Sequence, residues 1–286
     1  MILITDSGST KCDWIAIDKT GKRLAEKIRT KGLNPAILTE EELKSIISGS
    51  EELMRYKSEV THIFFYGAGC GTEKPRTMLT HVLQFLFPVA NVEVQEDTMA
   101  AVRASLNQND EAAVVCIMGT GSNCSYFDGE RLHQRVKSLG YTLMDEASGN
   151  YYGKELIRDY YFKLMPATIK LAFEHKYNLD ADFIKYNLYK QPNPNAYLAS
   201  FAEFMFLNKD SEYIRDLIKS GFRLFTEHMI MQFKEELKTC PVHFAGSIAY
   251  FSQEEILEVA QEYGFNVGNF VRRPIDGLVD YHVKNI

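Results

Sequence analysis

Short apolar runs separated by small-residue turns open the chain and recur near its middle. Met1-Ile2-Leu3-Ile4 enters Thr5-Asp6-Ser7-Gly8-Ser9-Thr10-Lys11, and Cys12-Asp13-Trp14-Ile15-Ala16-Ile17-Asp18 follows at once. A connection this short between two strand-forming runs leaves no room for a helix and predicts a tight hairpin. The pattern repeats in Ala112 to Met118, Gly119-Thr120-Gly121-Ser122-Asn123, and Cys124-Ser125-Tyr126-Phe127. After the first hairpin the spacing predicts a third strand over Lys22 to Arg29. Thr39, with Glu42 three residues on, reads as the start of a helix running through Leu43, Ile46, Ile47 and Leu53. A strand at Ile63 to Tyr66, a helix from about Pro75 to Phe87, a strand at Val92 to Val94 and a helix from Thr98 to Leu106 follow.

Residues 147–238 read as mostly helical, with Ile214, Leu217, Ile218, Phe222, Leu224 and Phe225 forming an apolar stripe read as core. Val242 to Ala245 is the next strand. It leads through Gly246-Ser247 into a helix from Ile248 to about Tyr263, then a strand at Phe265 to Val267 and a helix from Pro274 to Val283. Hairpin strands followed by strand-helix alternation predict α/β architecture, mixed sheets covered by helices. Because the hairpin pattern restarts at Ala112, a boundary falls near Asn107-Gln108-Asn109-Asp110, a polar linker and hinge. The expected domains are 1–108 and 109–271, the second with a helical insertion, and a final helix at about 272–286 that packs back on the first.

A chain of 286 residues suits two ordinary domains with a ligand cleft between them. Its composition, 45% hydrophobic and 24% charged, is that of a soluble globular protein. The formal charge of -6 and the lack of a basic stretch argue against a nucleic-acid partner. They do not exclude an anionic ligand, which local N–H groups and a metal ion can hold against the global field. The five cysteines show no paired C-x-x-C spacing and are read as reduced, mostly buried thiols. No basic region precedes the first apolar run, and no run reaches the ~20 residues of a membrane span. The expectation is a cytoplasmic protein without a membrane partner.

Chemistry concentrates at the hairpin tips. Gly8 lets the backbone approach an anion, Ser9 and Thr10 supply N–H and hydroxyl donors for phosphate oxygens, and Asp6 offers a carboxylate to hydrated Mg2+. A second tip of the same kind, Gly119, Thr120, Gly121 and Ser122, suggests a duplicated clamp, each half holding one part of a triphosphate.

Together these elements resemble the sugar-kinase, Hsp70 and actin superfamily, and within it the N-acetylglucosamine kinase and BadF/BadG/BcrA/BcrD-type ATPase family. The first phosphate loop matches Asp6 to Lys11, and the connecting loop matches Gly67-Ala68-Gly69-Cys70-Gly71. The second phosphate loop matches Gly119 to Asn123, and the adenosine loop Ala245-Gly246-Ser247-Ile248-Ala249. The resemblance implies two ribonuclease H-like (actin-like ATPase) domains, ATP and Mg2+ as cofactors, and phosphoryl transfer to the primary hydroxyl of an amino sugar. It places the catalytic base at Asp97, after a strand and at the start of a helix, where an N-cap role is also open. Asn34, Gly69, Thr120, Asp145 and Glu146 correspond to acceptor-binding positions. Here the chain departs from the family's Gly-Asp-Glu-Gly-Ser stretch, with Met144 before the Asp and Ala147 after the Glu. Lys11 is read as a charge flanking the phosphate loop and Trp14 as a packed strand residue.

The same resemblance also admits an ATP-driven activator or conformational switch without a sugar acceptor. Its electron-donating members hold an iron-sulfur cluster between subunits, for which Cys70 and Cys240 are the loop candidates. Helices between 150 and 240 offer a face for a homodimer. A DNA-binding repressor is disfavoured, since the first phosphate loop begins at Asp6.

Overall fold

A computed structural model describes residues 1–8, 11–106 and 111–285, with the side chain of Asn285 left aside. Ser9 and Thr10, expected phosphate donors, and the expected linker 107–110 lie outside the described residues. The chain divides into two units, Met1–Asn109 with Arg273–Ile286, and Asp110–Arg272.

In the first unit, β1 (Ile2–Ser7), β2 (Lys11–Ile17) and β3 (Ile28–Lys31) are followed by α1 (Glu40–Ser48), α2 (Glu51–Arg55), β4 (His62–Gly67), α3 (Glu73–Leu86), β5 (Asn91–Glu96) and α4 (Asp97–Ser105). The sheet order is β3-β2-β1-β4-β5. The two hairpin pairs are antiparallel, and β1, β4 and β5 run parallel. The register sets Ser7 beside Gly67 and Gly67 beside Glu96, so the three parallel strands end level. Parallel strands ending together, each followed by a turn, form the edge at which open α/β sheets bind ligands.

Alternation along β1 sorts its side chains between two cores. Leu3 joins Trp14, Leu43, Phe65 and Leu79 on one face, while Ile2 and Ile4 join Ile15, Tyr66, Ala100 and Leu278 on the other. Trp14 is fully buried, its indole N–H donating to the Thr30 hydroxyl at 3.1 Å. Burial of such a side chain contributes about 1.5–3 kcal/mol.

The second unit contains β6 (Ala113–Met118), β7 (Ser122–Phe127) and β8 (Leu132–His133). The helices α5 (Gly149–Tyr161), α6 (Ala167–Lys176), α7 (Ala181–Tyr189), α8 (Pro194–Ser200), α9 (Glu203–Leu207) and α10 (Glu212–His228) come next, before β9 (Val242–Ala245), α11 (Ser247–Phe251), α12 (Gln253–Tyr263) and β10 (Val267–Val271). Its order, β10-β9-β6-β7-β8, is that of the first sheet. The antiparallel pairs again lie on the hairpin side and the parallel pairs on the other. Both units are mixed five-stranded sheets flanked by helices. After β10, α13 (Pro274–Asn285) belongs to the first unit, where Gly277 fits closely over Ala104 of α4. His282 of α13 stacks on Phe64 at 3.7 Å and meets the Tyr66 hydroxyl at 2.8 Å. Burial and then Arg103 push its pKa down to about 3, so the ring stays neutral and packs as an apolar body.

Local chemistry explains where element bounds differ from expectation. Thr39 and Glu42 form the expected capping box, with bonds of 3.2 and 2.8 Å. The helix nonetheless stops at Gly49, and Ser50 caps a second one, accepting from the Leu53 N–H. The expected strand over Lys22 to Arg29 begins only at Ile28, because the segment after the Gly21 turn (φ +84°) pairs with β2 only as an isolated bridge, Arg23 opposite Ile17, before the continuous ladder starts. The helix expected over Ile248 to Tyr263 divides at Ser252. β10 runs to Val271, with a bulge where Gly268 lies flat on the His243 ring and the Asn269 N–H donates to His243 Nδ1 at 2.9 Å. Leu224, read as core, is exposed, while Ile214, Ile218, Phe222 and Phe225 are buried.

Candidate active site

In the first unit the level strand ends gather the acidic residues. Asp6 and Asp13 face each other across the β1–β2 ladder, an arrangement that like charges oppose. Asp13 is neutralised: Arg29 Nε donates to it at 2.7 Å and Lys27 Nζ at 3.0 Å. Burial works against its charge, but these bonds prevail and its pKa falls. Among the described residues, no lysine or arginine bonds the Asp6 carboxylate in this way. Burial first, then the charges of Asp97 and Asp13, push its pKa up to about 6, with Lys11 and Lys27 pulling weakly the other way. A buried carboxylate set near two others is one whose charged form a divalent metal would stabilise.

Asp97 is the first residue of α4, and the N-cap position belongs to Glu96, whose side chain makes no capping bond. Burial raises the pKa of Asp97, and hydrogen bonds from Thr98 act against that rise. Glu96 is raised by burial and by Asp97, with Arg76 as the offsetting charge. The Arg76 guanidinium itself is bound to the carbonyls of Cys70 (3.0 Å) and Gly71 (3.4 Å) in the connecting loop. A carboxylate with raised pKa, next to a strand end, is poised to exchange a proton with a hydroxyl.

Asn34 and Gly69 lie together. Gly69 has φ +81°, and a Cβ there would stand 2.0 Å from Asn34 Oδ1, which also accepts the Ala36 N–H at 3.0 Å. Ser7 ties this loop to the first hairpin: its Oγ accepts the Leu33 N–H at 2.9 Å. Structure thus brings Asp6, Asn34, Gly69 and Asp97 to one edge of the first unit. Gly8 precedes the tip, and a Cβ there would make only an ordinary contact of 3.9 Å with the Lys11 carbonyl.

In the second unit the tip Gly119-Thr120-Gly121 is gripped from below by the start of α5. The Gly149 N–H donates to the Gly119 carbonyl at 2.7 Å and the Asn150 N–H to the Thr120 carbonyl at 3.0 Å. In a trans peptide the N–H points opposite to the C=O, and no cis bond occurs among the described residues. Fixing those two carbonyls onto α5 therefore turns the N–H groups of Thr120 and Gly121 away from it, an arrangement that receives anions. Ser122 Oγ is otherwise engaged, donating to the Glu146 carbonyl at 2.8 Å. Asp145 is buried, accepts Asn150 Nδ2 at 2.9 Å, and presses on Gly121, where a Cβ would stand 2.8 Å from its Oδ2.

Gly246 joins the same group. Its φ of +110° favours glycine, and a Cβ would stand 2.3 Å from the Met118 carbonyl. Gly246 and Ser247 thereby lie against the second hairpin, and Ser247 begins α11. Three contributors escaped sequence reading: Asp13 and its cations, Arg76, and Asn150. Asp13 was signalled by a lone carboxylate inside an apolar strand; the other two had no signal, since their partners come from folding.

All five cysteines are free and buried. Among the described residues, no group of three or more His, Cys, Asp or Glu side chains is arranged to hold a metal ion. No helix among them is long and apolar enough to cross a membrane.

No family model matches the chain, and no curated protein matches it. Solved structures do. A protein from Porphyromonas gingivalis provisionally named N-acetylglucosamine kinase is 34% identical, with 100% of this chain and 99% of that one covered and a TM-score of 0.91. A second of the same provisional name, from Chromobacterium violaceum, is 13% identical, with 98% of each chain covered and a TM-score of 0.72. A ROK-family glucokinase from Streptomyces griseus, solved with glucose and AMPPNP, is 12% identical, with 98% and 97% covered and a TM-score of 0.59. The last two share the fold. The first, alike in sequence over its whole length, shows that the chain belongs to the N-acetylglucosamine kinase-like family of sugar kinases.

Proposed function

We propose that the protein transfers the terminal phosphoryl group of ATP to the primary hydroxyl of an acetamido sugar, N-acetylglucosamine or a close relative. The observation that carries the reading is the second hairpin, whose tip carbonyls are fixed to α5 so that two N–H groups are left for phosphate. Phosphoryl transfer depends on positioning and on charge neutralisation more than on covalent chemistry, and the chain's residues divide along those lines. Gly8, Ser9, Thr10 and Lys11 on one loop, and Gly119, Thr120 and Gly121 on the other, hold the phosphates, while Ser122, expected among them, anchors the second loop through the Glu146 carbonyl. Gly246 and Ser247 receive the adenosine. Asp6 holds Mg2+ through water, and that ion, when bound, offsets the negative charge of the phosphates.

Asp97 is the general base. Its raised pKa makes it a better proton acceptor than an ordinary aspartate, and it draws the proton as the hydroxyl attacks. Asn34, Gly69, Thr120, Asp145 and Glu146 orient the acceptor. The acetamido preference rests on the name borne by the 34% identical relative. A coupled ADP-release assay over N-acetylglucosamine, N-acetylmannosamine, glucosamine, glucose and no acceptor tests it. Release that depends on an acetamido sugar is expected. Equal release without any acceptor points to a bare ATPase or switch, and a preference for glucose overturns the acetamido assignment.

A further inference from the structure

The segment before α5 contains two non-glycine residues with positive φ, Asp145 at +73° and Ala147 at +57°. Backbone of this kind persists only where its surroundings hold it. What holds it is Asn150, a residue only 2% exposed. Its amide Nδ2 donates to Asp145 Oδ2 at 2.9 Å, and its Oδ1 accepts the Ser148 hydroxyl at 3.0 Å. The same residue's backbone N–H donates to the Thr120 carbonyl at 3.0 Å. Asn150 thus touches the tip twice, once directly and once through the Asp145 carboxylate that presses on Gly121. Each polar group of its side chain is committed within the protein.

We propose that Asn150 is a positioning residue that, acting through Asp145, holds the second hairpin tip in the shape that receives nucleotide phosphate. The inference rests on the kinase reading for the identity of the ligand. Asp145 is then first a support for the loop, and its orientation depends on a donor from position 150. Asn150→Asp removes that donor and sets one carboxylate against another. The exchanged pair, Asp145→Asn with Asn150→Asp, restores one donor and one acceptor, and asparagine tolerates the positive φ at 145.

MgADP binding by titration calorimetry, which needs no acceptor, is the primary readout. Small displacements of a positioning group can cost up to about 10²-fold. Asn150→Asp is therefore expected to weaken MgADP at least about tenfold and to lower kcat/KM for ATP in parallel. The exchanged pair should return MgADP affinity to within about threefold of the original. Should Asn150→Asp not yield folded protein, Asn150→Ser deletes the donor without adding charge and carries the same comparison. Unchanged MgADP affinity, or failure of the exchanged pair to recover it, would overturn the proposal. Failure of every sugar in the acceptor panel would overturn the kinase reading and leave the MgADP result standing on its own.

Discussion

The two units share one sheet topology and differ in what they place at its edge. Counting back from each hairpin, Asp6 and Asp13 in the first unit correspond to Ile117 and Asn123 in the second. Ser7, Gly67 and Glu96 end the parallel strands of the first unit, and Met118, Gly246 and Arg272 hold the equivalent places in the second. Asp97 then corresponds to Arg273. One scaffold carries carboxylates with raised pKa, the other a neutral tip fixed by hydrogen bonds. The lesson is that the backbone supplies only level strand ends and tight turns. What each edge can do chemically is decided by a few side chains and their partners.

If the first unit carries the acid chemistry, Asp97→Asn should lower kcat by about 10²–10⁴-fold. MgADP affinity should stay near that of the parent, and steady-state rates with calorimetry check both. A loss of nucleotide affinity instead would move Asp97 to the binding side and erase the contrast. The second unit's loop is expected to fail sterically. Gly246→Ala puts a Cβ against the Met118 carbonyl at an unfavourable φ, costing about 3 kcal/mol, read as a lowered denaturant midpoint and weakened MgADP.

Asp6 offers a test of opposite sign. Its folded pKa of about 6 lies above the ordinary value of 3.8, so the folded state binds more protons than the unfolded one between those values. Stability is lost as pH rises from about 4 to about 6 and is level above that. Asp6→Asn should therefore stabilise the metal-free protein at pH 8 by about 2 kcal/mol, and by little at pH 4. Urea titrations at the two pH values measure this, and equal effects at both would mean that Asp6 is not under charge strain. The smallest effect concerns Thr5, whose hydroxyl is buried without a hydrogen-bond partner among the described residues. Thr5→Val should be neutral or stabilising by up to about 1 kcal/mol, whereas a loss of activity would give that hydroxyl a role at the edge.

Much of the architecture was legible because it is local. Hairpins follow from small residues between apolar runs, and the capping box at Thr39 and Glu42 from spacing alone. Where the reading failed, a competing local signal had been passed over, as at Gly49-Ser50 and Ser252, or tertiary packing decided, as for the late start of β3.

The same division holds for the site. Sequence alone determined the glycine-bearing tips, the carboxylates Asp6 and Asp97 beside the ends of β1 and β5, and the order of the elements, since turn formation and alternation depend on near neighbours. Only the tertiary structure decided that Asp13 is neutralised and Asp6 is not, that Arg76 is spent on carbonyls, and that Asn150 holds Asp145 against Gly121. A pKa shift or a shared hydrogen bond depends on distance and desolvation, and the approach of Asp97 to Asp6, 91 positions apart in the chain, exists only once the strands are paired.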